Sequence, residues 1–358
     1  MSDEPQAKKS VVIPAGPVCP IPISEYPTVQ LAHGGGGKLS QILIEGMFAK
    51  TFDNPHLEVM HDGAILPVGS ERLAFSTDSF VISPYFFPGG DIGSLAVHGT
   101  VNDIAMCGAR PLAISVGLIL EEGLPMEDLW RITQSIRRAA DEVGVKVVTG
   151  DTKVVDKGKG DGVYINTTGL GLIPDGVDIS PTTAKVGDQV LVSGEIAVHG
   201  IAIMSIREGL EFETQLESDS ASLCSLVSAV LEAGDAAVRV LRDPTRGGVA
   251  SALNEIAGQS KVGFQLDEQR IPVSEEVRGA CEILGFDPLH VANEGRFAAF
   301  VPQHQAAAAL ETLSAVAPDA AIIGHVHAEP AGQVVLENTL GVRRQLSMLS
   351  GEQLPRIC

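Results

Sequence analysis

The stretch "DIGSLAVHGTVNDIAMCG", residues 91–108, decides how the rest of the chain is read. It reads as a helix opened by Asp91 and closed by Gly108, with Asn102 and Asp103 set inside an otherwise apolar run. Strands are expected on either side, "RLAFSTDSFVI" at 72–82 and "LAISVGLIL" at 112–120. A second helix follows at 126–144, with Leu129, Ile132, Ile136, Ala140 and Val143 on one face and Gly144 at its end. Strands at 145–151 and 163–173 complete a first mixed α and β unit, which spans 31–176.

Residues 174–188 collect prolines, glycines and aspartates, and a domain boundary is placed there. A second α+β domain, 177–345, opens with a strand at 188–196. Helices are expected near 198–208, 219–233, 247–258, 275–284 and 304–316, and strands near 321–327 and 333–337. Parallel βαβ repeats are not evident, so the expected class is two-domain α+β rather than doubly wound. Residues 1–30 hold six prolines and read as an arm. The polar end, 346–358, reads as a mobile tail.

Bulk properties exclude several functions. A chain of 358 residues with 44% hydrophobic content can bury the cores of about two domains. The net charge is −20 and the basic residues form no run longer than a pair, so there is no cationic face for nucleic acid. No apolar stretch is long enough to span a membrane, and a cytoplasmic protein is expected. The five cysteines show neither CxxC pairing nor zinc-ligand spacing; Cys107, Cys224 and Cys281 read as buried or idle thiols. The histidines form no HxxH or HExxH set, and no GxSxG elbow is present.

"LAHGGGGKLS", 31–40, invites comparison with a phosphate-binding loop and fails it. Ala32 and Leu39 stand where GxxxxGK[ST] needs Gly and Ser or Thr. The run is either a hinge or a nucleotide-facing loop whose backbone approaches closely. The aspartates are more informative. Asp78 and Asp151 are expected at strand ends, Asp151 with Thr152 beside it, Asp91 at a helix start, and Asn102 and Asp103 on a helix facing them. Any one of these is commonly a cap or turn residue. Together they favour hard-oxygen ligation of Mg²⁺ and nucleotide. In "RDPTRGGV", Asp243, Thr245 and Arg246 precede a helix start able to face an anion. Glu294 in "ANEGR" reads, alone, as a surface carboxylate.

In order along the chain stand "AHGGGG", "LAFSTDSFVISPYFFPGGDIG", "GTVNDIAMCGARP", "LEEGLPME", "VTGDTKVV", "RDPTRGGV", "ANEGR" and the terminal "PRIC". From about Leu31 to the end this set resembles the HypE family of hydrogenase maturation factors. That family belongs with aminoimidazole ribonucleotide synthetase, selenophosphate synthetase and thiamine-monophosphate kinase. The resemblance implies a two-domain, PurM-like α+β architecture whose first domain binds ATP and builds a homodimer. It implies an ATP-dependent carbamoyl dehydratase, in which the terminal Cys358 receives a carbamoyl group from the carbamoyltransferase HypF. ATP would drive dehydration of that S-carboxamide to an S-cyanide, and the cyano group would pass to iron on the HypC–HypD complex.

Carried over residue by residue, the resemblance implies metal and phosphate handling by Asp78, Asp103 and Asp151, with Asn102 and Thr152 beside them and Asp91 as a further ligand. It implies phosphate contacts from Arg246 and Lys153, proton handling by Glu294, and Cys358 as covalent carrier. The arm with Cys19 has no counterpart in it, and Lys38 is not carried over. A thirteen-residue tail can reach about 40 Å, enough to visit a partner and return to the ATP site. The rival enzyme reading is a selenophosphate-synthetase-like phosphotransferase, which the absence of cysteine from the glycine run opposes. The rival outside enzymes is an assembly protein that uses the thiol only to bind metal or a partner.

Overall fold

The computed structural model describes residues 28–210, 216–233, 238–349, 351, 354 and 356–358. Cys19, nearly all of the proline-rich arm and Pro355 lie outside them.

The first domain is a five-stranded sheet with two helices on one face. Its strands are β1 (Ala64–Val68), β2 (Glu71–Phe80), β5 (Arg110–Glu121), β6 (Lys146–Val155) and β7 (Val163–Ile173), in the order β1-β2-β7-β5-β6. The short β3 (Phe86–Phe87) and β4 (Gly90–Asp91) pair separately. All neighbours run antiparallel except β5 and β6, which are parallel because helix Met126–Val143 crosses over between them. Along β7 burial alternates without a break, which points one face at the helices and leaves the other half open.

Helix Ile92–Met106 is the pivot of the molecule. Asp91 caps it, accepting from the backbone N–H of Gly93 and Ser94, while Ser94 Oγ answers the Asp91 N–H. Nearly every residue in it is buried, so it carries no one-sided apolar stripe. Its early turns join a core with Phe80, Ile114 and Ile132 of the first domain. Its last turn, at Ala105 and Met106, joins Leu223, Val227 and Phe297 of the second. Each large side chain fully buried here contributes about 1.5–3 kcal/mol. The helix lies close on β7 because Gly171 stands beneath it; a Cβ there would fall 2.3 Å from Ile104 Cγ2.

The second domain is a seven-stranded sheet ordered β14-β13-β10-β12-β8-β11-β9. Its strands are β8 (Asp188–Val192), β9 (Val240–Arg242), β10 (Gly263–Asp267), β11 (Ala298–Pro302), β12 (Ala321–His327), β13 (Val334–Glu337) and β14 (Arg343–Leu346). All pairs are antiparallel except β10 with β13. Two sequence expectations shift here: the strand opening at 188 stops at Val192, and the helix placed at 219–233 starts at Cys224. Residues 174–187 carry no regular structure. Ile179 within them is 2% exposed, so the connection is packed rather than free.

The chain end returns to the junction of the two domains. Ile357 is 4% exposed and shares an apolar cluster with Ile82, Ile203 and Ala292. The thiol of Cys358 therefore stands between the domains in this structure.

Candidate active site

Three carboxylates from three separate elements converge at the domain junction. Asp62 lies in the bend before β1, Asp103 on helix Ile92–Met106, and Asp243 directly after β9. One oxygen of each lies within 4.8 Å of the others. Ser76 Oγ on β2 donates to Asp103 Oδ2 at 2.6 Å. Arg242 Nη1 is 2.9 Å from Asp62 Oδ1, and Arg242 also pairs with Glu255.

The cluster holds more negative charge than its single arginine offsets. Burial and the neighbouring carboxylates of Asp243, Asp78 and Asp62 push Asp103 well above the usual carboxylate range. Burial and Asp62 push Asp243 up to about 8 against the pull of Arg242. Asp62 Oδ2 and Asp243 Oδ2 are buried without a hydrogen-bond partner. Free carboxylate oxygens from several elements, pointed at one place and short of positive charge, form a donor set that fits a hard divalent cation.

A cleft of about 1110 Å³ opens over this cluster. Thr77, Asp78, Thr245 and Arg246 line it, with Gly34, Gly36 and Gly37 of the glycine run. That run faces the cleft. Lys38 N–H donates to Leu349 O, and Gly36, at φ +74°, approaches so near that a Cβ would lie 2.4 Å from Arg246 Cβ. Arg246, from the loop before helix Gly248–Ser260, forms an ion pair with Asp78 of β2.

A smaller cavity of about 470 Å³ shares Asp78, Thr245 and Arg246 with the cleft and contains Cys358. Arg246 lines the same cavity, and its charge pulls against the rise in the Cys358 thiol's pKa. Burial, and then the charge of Glu294, push it up to about 12, so the docked sulfur is a thiol, not a thiolate. Glu294 is 3% exposed and its Oε1 has no hydrogen-bond partner. Burial, followed by the charges of Asp243 and Asp78, lifts it well above an ordinary glutamate. The surface carboxylate expected from "ANEGR" alone is thus an interior one.

Asp78, Asp103, Arg246, Glu294 and Cys358 are brought together as the sequence suggested. Others are not. Asp91 is the helix cap described above, its carboxylate committed to Gly93 and Ser94. Asn102 spends its amide on main-chain groups of the second domain, donating to Ala221 O and Glu294 O and accepting from Leu223 N–H. It holds the Glu294 loop rather than lining the cleft.

Asp151, Thr152 and Lys153 lie within β6, not at a strand end. That edge strand is three places from β2, roughly 14 Å away at ordinary strand spacing. Asp151 there pairs with Lys153, Oδ2 to Nζ 2.6 Å. Sequence reading missed Asp62 as a member of this acidic cluster and placed Asp243 only near an anion. The bend before a five-residue strand gives Asp62 little signal, and only packing shows that the two carboxylates meet.

Comparison with known proteins follows the same lines. The family model described as AIR synthase related protein, N-terminal domain, matches residues 60–173, and its C-terminal-domain counterpart matches 185–337. The carbamoyl dehydratase HypE of Rhizobium leguminosarum bv. viciae is 52% identical over 332 residues, covering 92% of this chain and 95% of that protein. A solved structure of the hydrogenase maturation protein HypE in complex with ATP is 50% identical, with a TM-score of 0.78, covering 92% of this chain and all 100% of that one. The matching chain in a HypE–HypF complex is 46% identical with a TM-score of 0.82, over 86% of this chain and 99% of that one.

Proposed function

The chain belongs to the AIR synthase related family, in its HypE branch, and from that premise we propose that it is an ATP-dependent carbamoyl dehydratase whose substrate is carried on its own Cys358. The observation that carries the reading is that Cys358 and Arg246 line one cavity, within reach of the Glu294 charge, beside a cleft floored by Asp62, Asp103 and Asp243. An amide oxygen leaves slowly as water. Moving the γ-phosphoryl of ATP onto that oxygen releases ADP and converts the oxygen into phosphate, a good leaving group. One nitrogen proton is lost as the phosphorylated imidate forms, and loss of the second with phosphate then leaves S–C≡N on the sulfur.

The residues take separate parts in this. Arg246 neutralises phosphate oxygens next to the thiol and orients the carbamoyl oxygen toward the cleft. Glu294, whose charge acts on the Cys358 thiol and whose Oε1 has no hydrogen-bond partner, receives a nitrogen proton; the environment that raises its pKa makes its ionised form a stronger base. Asp62, Asp103 and Asp243 would hold Mg²⁺, which when bound supplies positive charge to the triphosphate. The glycine run and Thr245 close on the nucleotide and exclude water.

The same reading includes a carbamoyltransferase of the HypF kind that loads the thiol, and a HypC–HypD complex that takes the cyano group to iron. It also includes a homodimer, in which Asp151, Thr152 and Lys153 on the open edge of β6 would act on nucleotide from the adjoining copy. Among the described residues no helix is long and apolar enough to cross a membrane; a cytoplasmic site of action belongs to the proposal. Mass spectrometry of the C-terminal peptide tests it. After treatment with the carbamoylating partner the peptide gains one carbamoyl group, and on addition of Mg-ATP the adduct loses the mass of one water. An adduct unchanged by Mg-ATP overturns the dehydratase reading.

A further inference from the structure

The last three residues lie along Val81 to Ser83. Val81 N–H donates to Cys358 O at 3.0 Å and Ser83 N–H to Arg356 O at 3.3 Å. Side chains add three further contacts, of which the Arg356 pair reads a side chain of the tail and the other two hold its carbonyls. The Arg356 guanidinium donates to Val81 O and forms an ion pair with Asp161, in the turn between β6 and β7. Arg207, on helix Val198–Glu208, donates to both Ser83 O and Arg356 O. His199, on the same helix, faces Ile357 O through Nε2 at 2.9 Å and Ser218 Oγ through Nδ1 at 2.7 Å.

The histidine contact has one consistent protonation. A carbonyl can only accept, so Nε2 carries the hydrogen and Nδ1 accepts from Ser218. Burial keeps the ring neutral, and Phe87 packs edge-on against it at 5.8 Å. Burial, and then the neighbouring charge of Arg356, lowers Arg207 against the pull of Glu208, while Asp161 pairs with Arg356. Arg356 itself adopts the left-handed region, at φ 57°, which a non-glycine residue holds only when surrounding contacts impose it.

We infer that Asp161, Arg207 and His199 form a docking site for the sequence Arg-Ile-Cys at the chain end, a latch that positions Cys358 at the cleft without touching the reacting atoms. The inference rests on the reading of Cys358 as the carrier. The latch is reversible because its charged pair is part-exposed, Arg356 by 33% and Asp161 by 43%, so water and salt compete for it. Closed, it holds the thiol part-buried and protonated; open, it releases a tail able to reach a partner enzyme. The residues that set how much time the carrier spends at the cleft are therefore distinct from those that perform the dehydration.

The test is the rate at which iodoacetamide alkylates Cys358 in the full-length protein, read by mass spectrometry of the C-terminal peptide. Asp161→Lys is expected to speed alkylation roughly fivefold at low salt, with an unchanged melting temperature. Adding Arg356→Glu to it places opposite charges in reversed positions and is expected to restore protection. Equal alkylation of the native protein and Asp161→Lys, or failure of the reversed pair to restore protection, overturns the latch. The assay uses neither ATP nor a carbamoyl donor. Its failure thus leaves the dehydratase reading standing, and failure of that reading leaves the latch measurable.

Discussion

Arg246 of the second domain forms an ion pair with Asp78 of the first, Nη2 to Oδ1 2.5 Å, and the same side chain lines the cavity that holds Cys358. One side chain thus joins the domain junction, the nucleotide cleft and the carrier. Arg246→Met is expected to lower single-turnover dehydration roughly 100-fold while leaving carbamoylation of Cys358 intact. Quantifying both adducts on the C-terminal peptide checks this, and equal loss of both would place Arg246 in folding instead.

Glu294→Gln separates base from scaffold. The amide keeps the shape of a residue that is 3% exposed and removes a carboxyl whose Oε1 has no partner. Dehydration should fall by about two to four orders of magnitude, with ATP binding and the melting temperature retained. Calorimetric titration of ATP alongside the rate measurement decides it.

Asp103→Asn removes a carboxyl that burial and the charges of Asp243, Asp78 and Asp62 push well above the usual range, so its ionised form is unfavourable without a cation. Without divalent cation the variant should melt at or above the temperature of the native protein. The rise in melting temperature that Mg-ATP produces in the native protein should be absent. Thermal melts with and without Mg-ATP report both effects.

His98 supplies a pH dependence. Burial lowers it from 6.5 to about 4 in the folded chain, where its Nδ1 meets Ser220 Oγ. The folded state therefore binds fewer protons than the unfolded state as pH falls from about 6.5 to about 4. Stability that is full above 6.5 should decline across that window by on the order of 3 kcal/mol. His98→Gln should flatten the decline, measured by urea unfolding at each pH.

Gly171→Ala tests the seat of the pivot helix. The new methyl would lie 2.3 Å from Ile104 Cγ2 and 3.0 Å from Arg110 O, so helix Ile92–Met106 must shift. A loss of about 1–3 kcal/mol is expected. Because Asp103 rides on that helix, Mg-ATP stabilisation should weaken with it.

Much of the frame was legible in local pattern. The helix at 126–144 showed its apolar face and its stop at Gly144, which takes the left-handed conformation. Helix Ile92–Met106 was legible from its two ends, Asp91 and Gly108, because burial on all sides erases a stripe. The short strand Gly263–Asp267 was not seen, since five residues beside a helix end carry little periodicity. Among site residues, Asp103 and Cys358 were recognisable from the motifs that hold them. Asp91 carried the same kind of signal and proved to be a cap.

The sequence by itself determined the chemistry on hand: carboxylates spaced along two α+β domains, a glycine run that is not a phosphate-binding loop, and a cysteine at the end of a reachable tail. Period, cap and turn residues act over a few positions, so they specify elements and the side chains each one carries. Only the tertiary structure decided which of those side chains share a site. It joined Asp62 and Asp243 to Asp103, moved Asp151 to an opposite sheet edge, buried Glu294 where its charge acts on the thiol, and fastened Arg356 to Asp161. Those outcomes depend on sheet order and on the packing of one domain against the other. Contacts between residues far apart in the chain arise from burial of whole faces, which no local pattern records.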